Sequence, residues 1–150
     1  MRIAIGNDHG GVELKNHLLE YLTGKGYEVV NFGTDSTASC NYPVYAQKVA
    51  NAVVSGEFDY GILICGTGIG ISISANKIKG VRCALCSEPV SARLSREHNN
   101  ANILAMGART IGPVLAEGIV DTFLTTDFQG GRHAVRVGLI AELEEGKTLE

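Results

Sequence analysis

Five short apolar runs recur along the chain, separated by segments in which apolar residues have helical spacing. The runs are apolar at successive positions, which is typical of strands in a parallel sheet that is covered on both faces. Parallel neighbours need long crossover connections, and the intervening segments are long enough to supply them as helices. The predicted strands are Arg2–Asn7, Tyr27–Phe32, Tyr60–Cys65, Val81–Cys86 and Asn102–Gly107.

Four helices are predicted between these strands, and two more follow the last strand. Pro43 begins the second helix, and Ser87 is expected to cap the fourth, with Pro89 in its first turn. The other predicted helices are Gly10 to about Gly24, about Gly68 to Lys77, Gly112–Thr126 and Arg132 to about Glu145. This order predicts an α/β, three-layer Rossmann-like fold, a five-stranded parallel sheet with helices on both faces and an added C-terminal helix. We expect a single domain over residues 1–150.

Charge and hydropathy exclude several classes of partner. The formal net charge is −3 and no block of like charges occurs, so we expect neither nucleic acid nor an anionic membrane as a partner. No apolar run approaches membrane-spanning length, and the amino terminus enters a strand pattern without an apolar signal core. We therefore expect a cytoplasmic protein whose four cysteines are free thiols. Cys83 and Cys86 have CxxC spacing, but such positions point to opposite faces of a strand, which favours core packing over a redox or metal site.

Ligands of doubly wound sheets bind outside the carboxyl ends of the strands. That rule selects Asn7–Gly11, Cys65–Gly70, Ser87 with the approach to the fifth strand, and the turn after the fifth strand. The loop Cys65–Gly70 reads CGTGIG. Its glycines are spaced GxGxG rather than GxGxxG, and it follows the third strand rather than the first, so the match to a dinucleotide fingerprint is weak.

The backbone N–H groups of this glycine loop can bind a phosphate or a developing oxyanion, although a tight turn without a ligand has the same sequence. Cys65 stands at the end of the strand, just before the helix begins. A helix N-terminus and nearby N–H groups are expected to lower the pKa of such a thiol, so Cys65 can be a nucleophile or a general base. The alternative is a buried apolar cysteine.

Other polar residues are candidates by position. Asp8 and His9 follow the first strand and can bind sugar hydroxyls or a phosphate, or simply cap the next turn. His98 and Asn99 precede the fifth strand, and the pKa of a histidine suits acid–base work near neutrality.

Arginines form a third group of candidates. Arg132 and Arg136 are four residues apart on one predicted helix face and can clamp a phosphate, or lie on a solvated face. Arg109 is a third candidate cation after the fifth strand. His17 and His133 have no partner in the sequence, and we expect them at the surface without a role.

These motifs together resemble the B-type ribose-5-phosphate isomerases, a family that also holds galactose-6-phosphate isomerase subunits and allose-6-phosphate isomerases. The resemblance spans Met1 to about Leu143, with the motifs in order. They are NDHGG, YP, ILICGTGIGISISANK, CSEPVSARLSREHNNANILAMGAR and QGGRHAVRV.

The resemblance implies a metal-free aldose–ketose isomerase without cofactors, which acts through a cis-enediolate. By its place in the motif, Cys65 corresponds to the base. Some members use a glutamate elsewhere in this loop, and Cys65 with Ile71 just past the last glycine favours the cysteine group of members. Thr67 helps to open the sugar ring and His98 resembles the ring-opening acid or base. The substrate-binding residues implied are Asp8, His9, Gly66, Gly68, Ile69, Gly70, Asn99, Arg109, Arg132 and Arg136. The family also implies a homodimer in which each site draws residues from both chains.

Two alternatives remain open at the level of sequence. An allose-6-phosphate or galactose-6-phosphate isomerase differs in pocket depth, which the sequence does not give. A nucleotide-binding regulatory module would use the same glycine turn for a different class of ligand.

Overall fold

A computed structural model describes all 150 residues, Met1–Glu150. Five parallel strands form one sheet in the order β2-β1-β3-β5-β4. The strands are β1 Arg2–Asn7, β2 Glu28–Asn31, β3 Tyr60–Cys65, β4 Cys83–Leu85 and β5 Ile103–Gly107. The predicted three-layer, Rossmann-like α/β fold is confirmed, and the predicted bounds of β1 and β3 agree with the structure.

Six α-helices surround the sheet, and a short 3-10 turn, His9–Gly11, leads into the first. Prolines occupy the first or second position of the second, fourth and fifth helices, where the missing N–H costs no helical hydrogen bond. The helices are α1 Val12–Gly24, α2 Tyr42–Val54, α3 Ile69–Ala75, α4 Pro89–Asn99, α5 Pro113–Thr125 and α6 Arg132–Glu144.

The sheet separates two hydrophobic cores. Ile62 and Ile64 of β3 face the core formed with α1, α4 and α5, whereas Leu63 and Cys65 face the core formed with α2 and α3. This alternation follows from the two-residue period of a strand, and it buries both faces of the sheet. α6 lies outside both layers and packs against α4.

β4 is shorter than the predicted Val81–Cys86 because it is an edge strand that pairs only with β5. Where a second neighbouring strand is missing, the side chain of Asn76 donates to the Cys83 carbonyl at 2.9 Å and accepts from the Cys83 N–H at 2.8 Å. Cys83 and Cys86 contact opposite cores, as their spacing predicted. Burial raises the pKa of both thiols, that of Cys86 to about 11.

The cap of α4 is Glu88, not Ser87 as the sequence suggested. The Glu88 carboxylate accepts hydrogen bonds from the backbone N–H groups of Val90 at 2.6 Å and Ser91 at 2.8 Å. Glu88 has extended backbone, so its longer side chain reaches the first turn that Pro89 opens. Ser87 is exposed.

Since all strands are parallel, the sheet has one edge of strand carboxyl ends and an opposite edge of strand amino ends. Helices α1 to α5 each begin after a strand at the carboxyl edge and return the chain to the amino edge. α6 stays near the amino edge, where its Glu144 carboxylate accepts the N–H of Gly80, just before β4.

The assignment of the cap can be tested with two alanine variants. Glu88→Ala removes both acceptors from the first turn of α4, and we expect the melting temperature to fall by a few degrees. Ser87→Ala is the matched control and should melt like the wild type. The measurement is thermal unfolding followed by circular dichroism. A lower melting temperature in Ser87→Ala and an unchanged one in Glu88→Ala would instead identify Ser87 as the cap.

Candidate active site

Three loops meet at the carboxyl edge of the sheet. The N–H of Asp8 donates to the Ile64 carbonyl at 3.2 Å, which ties the loop after β1 to the end of β3. The N–H of Ala108 donates to the Cys65 carbonyl, and that of Arg109 to the Gly66 carbonyl, each at 2.9 Å. These bonds bring together the carboxyl-edge set, which we define as Asp8, His9, Cys65–Gly70 and Arg109.

Two glycines permit the close approach of these loops. A Cβ on Gly107 would lie 2.6 Å from the carbonyl carbon of Thr67. Gly68 has a φ of +77°, and a Cβ there would lie 2.8 Å from the carbonyl carbon of Met106. Only glycine fits both positions, because backbone atoms cannot move aside.

The sulfur of Cys65 is buried under the glycine loop. The residue is 5% exposed, and its Sγ accepts a hydrogen bond from the N–H of Gly68 at 3.1 Å. The N–H of Ile69 donates to Thr67 Oγ1 at 3.2 Å. Two of the donors expected to face a substrate are therefore engaged within the loop itself.

The remaining N–H groups of the loop are free. Those of Gly66, Thr67 and Gly70 have no acceptor within the chain. They surround the end of β3, so they can bind negative charge that develops on an oxygen close to Cys65. The ring of Tyr42 covers this end of the loop, since a Cβ on Gly70 would lie 2.7 Å from Tyr42 Cζ. Apart from the YP motif, no pattern in the sequence places Tyr42 beside this loop.

His9 is oriented by its surroundings. Its Nδ1 accepts the N–H of Cys40 at 3.3 Å and lies 4.0 Å from Asp8 Oδ2. Asp8 is 6% exposed, and its Oδ1 accepts the N–H of Gly10 at 2.9 Å. A neutral His9 ring that accepts at Nδ1 carries its proton on Nε2, which is then available to an anionic ligand.

An ion pair between a buried lysine and an exposed aspartate ties the loop that carries Cys40 to α1. Lys15 is 1% exposed, and its ammonium pairs with the carboxylate of Asp35. The Lys15 contact holds the pKa of Asp35 below its usual range, and the Asn31 amide donates to the same carboxylate at 3.1 Å. The sequence reading missed Lys15, whose only signal is a charge on the apolar face of α1.

A cleft of about 500 Å³ opens beside His9. Its walls include Glu13 of α1, Thr37 of the loop after β2, and Ala108 next to Arg109. The cleft is therefore continuous with the carboxyl-edge set and is large enough for a small ligand.

The remaining candidates form a second group, the amino-edge set, which we define as His98, Asn99, Arg132 and Arg136. His98 and Asn99 end α4, and the N–H of Gln129, just before α6, donates to the Glu97 carbonyl at 3.1 Å. Arg132 and Arg136 lie exposed on α6, which packs against α4.

The amino-edge set does not lie at the carboxyl ends of the strands, where ligands of such sheets bind. Arg82, just before β4, donates to the carbonyls of Asn99 and Asn100 at 3.1 and 3.0 Å. The approach to the fifth strand is therefore at the amino edge, and the prediction that places it among the loops at the carboxyl ends of the strands is wrong. The length of β5 separates the two sets by roughly 15 Å.

A buried arginine fixes the end of α4. Arg96 is 5% exposed and has no carboxylate partner. Its guanidinium donates to the Ala101 carbonyl at 2.5 Å, to Asn100 Oδ1 and to the Tyr60 hydroxyl at 2.9 Å each, and lies over the Tyr60 ring. These bonds hold the turn that presents His98 and Asn99.

His133 is buried, contrary to the expectation of a surface position. It is 7% exposed, and its ring stacks on that of His98 with the centroids 4.2 Å apart and the planes 10° apart. Burial lowers the pKa of His133, and the charges of His98, Arg132 and Arg136 act in the same direction. His17 is at the surface as expected, but its Nε2 lies 2.7 Å from a carboxylate oxygen of Glu117.

The structure has no cluster of three or more His, Cys, Asp or Glu side chains arranged to hold a metal ion. None of the helices combines the length and the apolar character needed to cross a bilayer.

The similarity of this chain to known proteins extends over the residues of both edge sets. The family model described as Ribose/Galactose Isomerase matches residues 3–140. Escherichia coli ribose-5-phosphate isomerase B is 51% identical over 147 residues, which are 98% of this chain and 99% of that protein.

Solved structures agree with the sequence comparison. The Clostridium thermocellum ribose-5-phosphate isomerase B structure has a TM-score of 0.97 and 56% identity, and the match covers 99% of this chain and 100% of that chain. A Thermotoga maritima ribose 5-phosphate isomerase structure has a TM-score of 0.93 and 55% identity, with coverage of 94% and 97%.

The lowered pKa of His133 predicts a loss of stability in acid. Below its ordinary pKa of 6.5, the unfolded chain binds a proton that the folded His133 refuses, so stability falls as the pH drops through that value. His133→Phe removes this contribution. Between about pH 7.5 and about pH 5.5, the melting temperature of the variant should therefore fall less than that of the wild type. Equal losses in the two proteins, measured by thermal unfolding, would contradict the assignment.

Proposed function

Because the chain belongs to the ribose/galactose isomerase family, we propose that it interconverts ribose 5-phosphate and ribulose 5-phosphate through a cis-enediolate, with Cys65 as the base. The observation that carries the proposal is the Gly68 N–H directed at Cys65 Sγ, with the free N–H groups of Gly66 and Gly70 on the same loop. An N–H aimed at the sulfur stabilises a thiolate, and the free donors suit an oxygen that gains charge beside it.

The proton transfers balance with one base. The Cys65 thiolate removes the proton from C2 of the open aldehyde, and the electron pair moves towards C1, which leaves negative charge on O1. The resulting thiol returns that proton to C1, while the proton of the C2 hydroxyl passes from O2 to O1. The product is the ketone at C2, and the thiolate is regenerated.

Ring opening precedes this step. In the proposal, His98 and Thr67 assist the transfer of a proton from the anomeric hydroxyl to the ring oxygen, which releases the aldehyde. Asp8 and Asn99 bind sugar hydroxyls, whereas His9, Arg109, Arg132 and Arg136 bind the phosphate. The phosphate takes no part in the proton transfer, and its binding energy holds C1 and C2 over Cys65.

The two edge sets require two chains. Since one chain places His98, Arg132 and Arg136 roughly 15 Å from Cys65, at the opposite edge of the sheet, we infer a homodimer in which one protomer supplies the carboxyl-edge set and its partner the amino-edge set. Exposed apolar side chains support this arrangement. Ile69 and Ile73 of α3 and Val135 and Leu143 of α6 are each at least half exposed, and a second copy would cover them.

We further propose that residues 1–150 act as a single sugar-phosphate isomerase domain in the cytoplasm. One continuous sheet with two packed faces supports the single domain. Four cysteines without a disulfide support a reducing compartment.

The role of Cys65 can be tested by substitution. Cys65→Ala removes the base, so kcat for ribose 5-phosphate should fall by about 10³-fold or more while calorimetry still detects substrate binding. Cys83→Ala is the matched control, because Cys83 is a half-buried thiol on the edge strand and should be dispensable. Turnover by Cys65→Ala comparable to that of the control would exclude Cys65 as the base. The same assay with allose 6-phosphate and galactose 6-phosphate determines the preferred sugar.

Shared sites can be tested by mixing two inactive variants. In a heterodimer of Cys65→Ala and His98→Asn chains, one site carries both substitutions and the other carries neither. Random reassociation of equal amounts should therefore restore about a quarter of the wild-type activity. Each variant unfolded and refolded alone is the control. If each site belonged to one chain, the mixture would stay inactive, because every site would keep one substitution.

A further inference from the structure

The ring of His133 stacks on that of His98, and the proposed reaction gives this contact no role. We propose that His133 is a positioning residue, whose ring face holds the imidazole plane of His98 while His98 exchanges protons with the sugar. This inference rests on the proposed function, because it presupposes that His98 takes part in ring opening. His133 itself has no place in the chemistry proposed above.

The two rings contact each other face to face and are not joined by a hydrogen bond. We call the ring face of His133 that supports His98 the platform. The ring centroids are 4.2 Å apart and the planes differ by 10°. His133 is buried, whereas His98 is half-buried. Neither ring makes a side-chain hydrogen bond within the chain, in contrast to His9 and His17. Face-to-face contact fixes the plane of His98 and leaves its two nitrogens, which lie on the ring edge, free for a ligand.

The surroundings of the pair disfavour a proton on His133. Two imidazolium rings at 4.2 Å would repel each other. Arg132 and Arg136 of α6 add positive charge beside His133, and Glu97 of α4 is the one neighbouring carboxylate that opposes them. Glu97 is itself paired with Arg93 at 2.8 Å. Burial and these charges hold the pKa of His133 below its usual range, so its ring contacts His98 as a neutral imidazole near neutral pH.

The backbone on both sides of the stack is held in place. Arg96 fixes the end of α4, and the hydrogen bond from Gln129 to Glu97 joins the start of α6 to the same turn. What remains free without His133 is the rotation of the His98 side chain about its two χ angles. A proton-transfer group that rotates out of its productive plane loses rate rather than binding, since the phosphate and hydroxyl contacts lie on other residues.

Two substitutions separate the platform from a hydrogen-bonding role. His133→Phe keeps a flat ring but cannot donate or accept, and kcat for ribose 5-phosphate should stay within about threefold of the wild type. His133→Gln keeps the polar groups but has no ring, and kcat should fall about tenfold with KM changed by less than about twofold. His133→Tyr supplies a second ring if the Phe variant does not fold, as judged by circular dichroism.

The stack also has a spectroscopic signature. In proton–carbon correlation spectra, the ring C–H resonances of His98 should carry the ring-current shift of a stacked neighbour. This shift should persist in His133→Phe and disappear in His133→Gln. The spectrum of His98→Asn assigns the resonances.

The outcomes distinguish this inference from the proposed function. Full activity of His133→Gln, or a Phe variant as slow as the Gln variant, would overturn the platform. A raised KM at constant kcat in both variants would make His133 a phosphate ligand and would also overturn it. A wild type without turnover of ribose 5-phosphate, or a fully active His98→Asn variant, would instead refute the proposed function itself and the platform with it.

Discussion

The parallel register of β3 and β5 is the constraint on which the rest of the structure depends. It pairs Cys65 with Gly107 and Gly61 with Ile103, so the thiol lies at one edge of the sheet and the approach to β5 at the other. The turn after β5 then hydrogen-bonds to the carbonyls of Cys65 and Gly66, which aligns Arg109 with the glycine loop. A shift of this register by one residue would turn the Cys65 side chain to the other face of the sheet.

The same constraint explains why the groups proposed for one site lie at opposite edges of the sheet within one chain. A helix that follows a parallel strand must return to the amino edge before the next strand begins, so residues at its end cannot meet the ligand loops of their own chain. His98 and Asn99 stand at such an end, and α6 starts beside them. Their proposed use in a site beside Cys65 therefore follows from assembly of two chains and not from folding of one.

The sequence predicted what depends on local pattern and missed what depends on distant partners. β1 and β3 were bounded correctly because continuous apolar runs mark buried central strands, whereas β4 was predicted too long because its edge position is not encoded locally. The carboxyl-edge set assembled as expected from its positions after the strands. His133 packs against His98, which is 35 positions away, and Lys15 pairs with Asp35, which is 20 positions away. No sequence pattern predicts a contact at either separation.

The glycine loop itself argues against the nucleotide-binding alternative. In a dinucleotide fold, glycines keep the loop open so that a pyrophosphate can approach the backbone. Here two of the three glycines make room for residues of the same chain, since the Met106 backbone lies against Gly68 and the Tyr42 ring against Gly70. The N–H of Gly68 points at the Cys65 sulfur, and the positive φ of Gly68 starts the turn from the loop into α3. The GxGxG spacing thus shapes a small enclosure around a thiol, which fits a single reacting centre better than an extended phosphate chain.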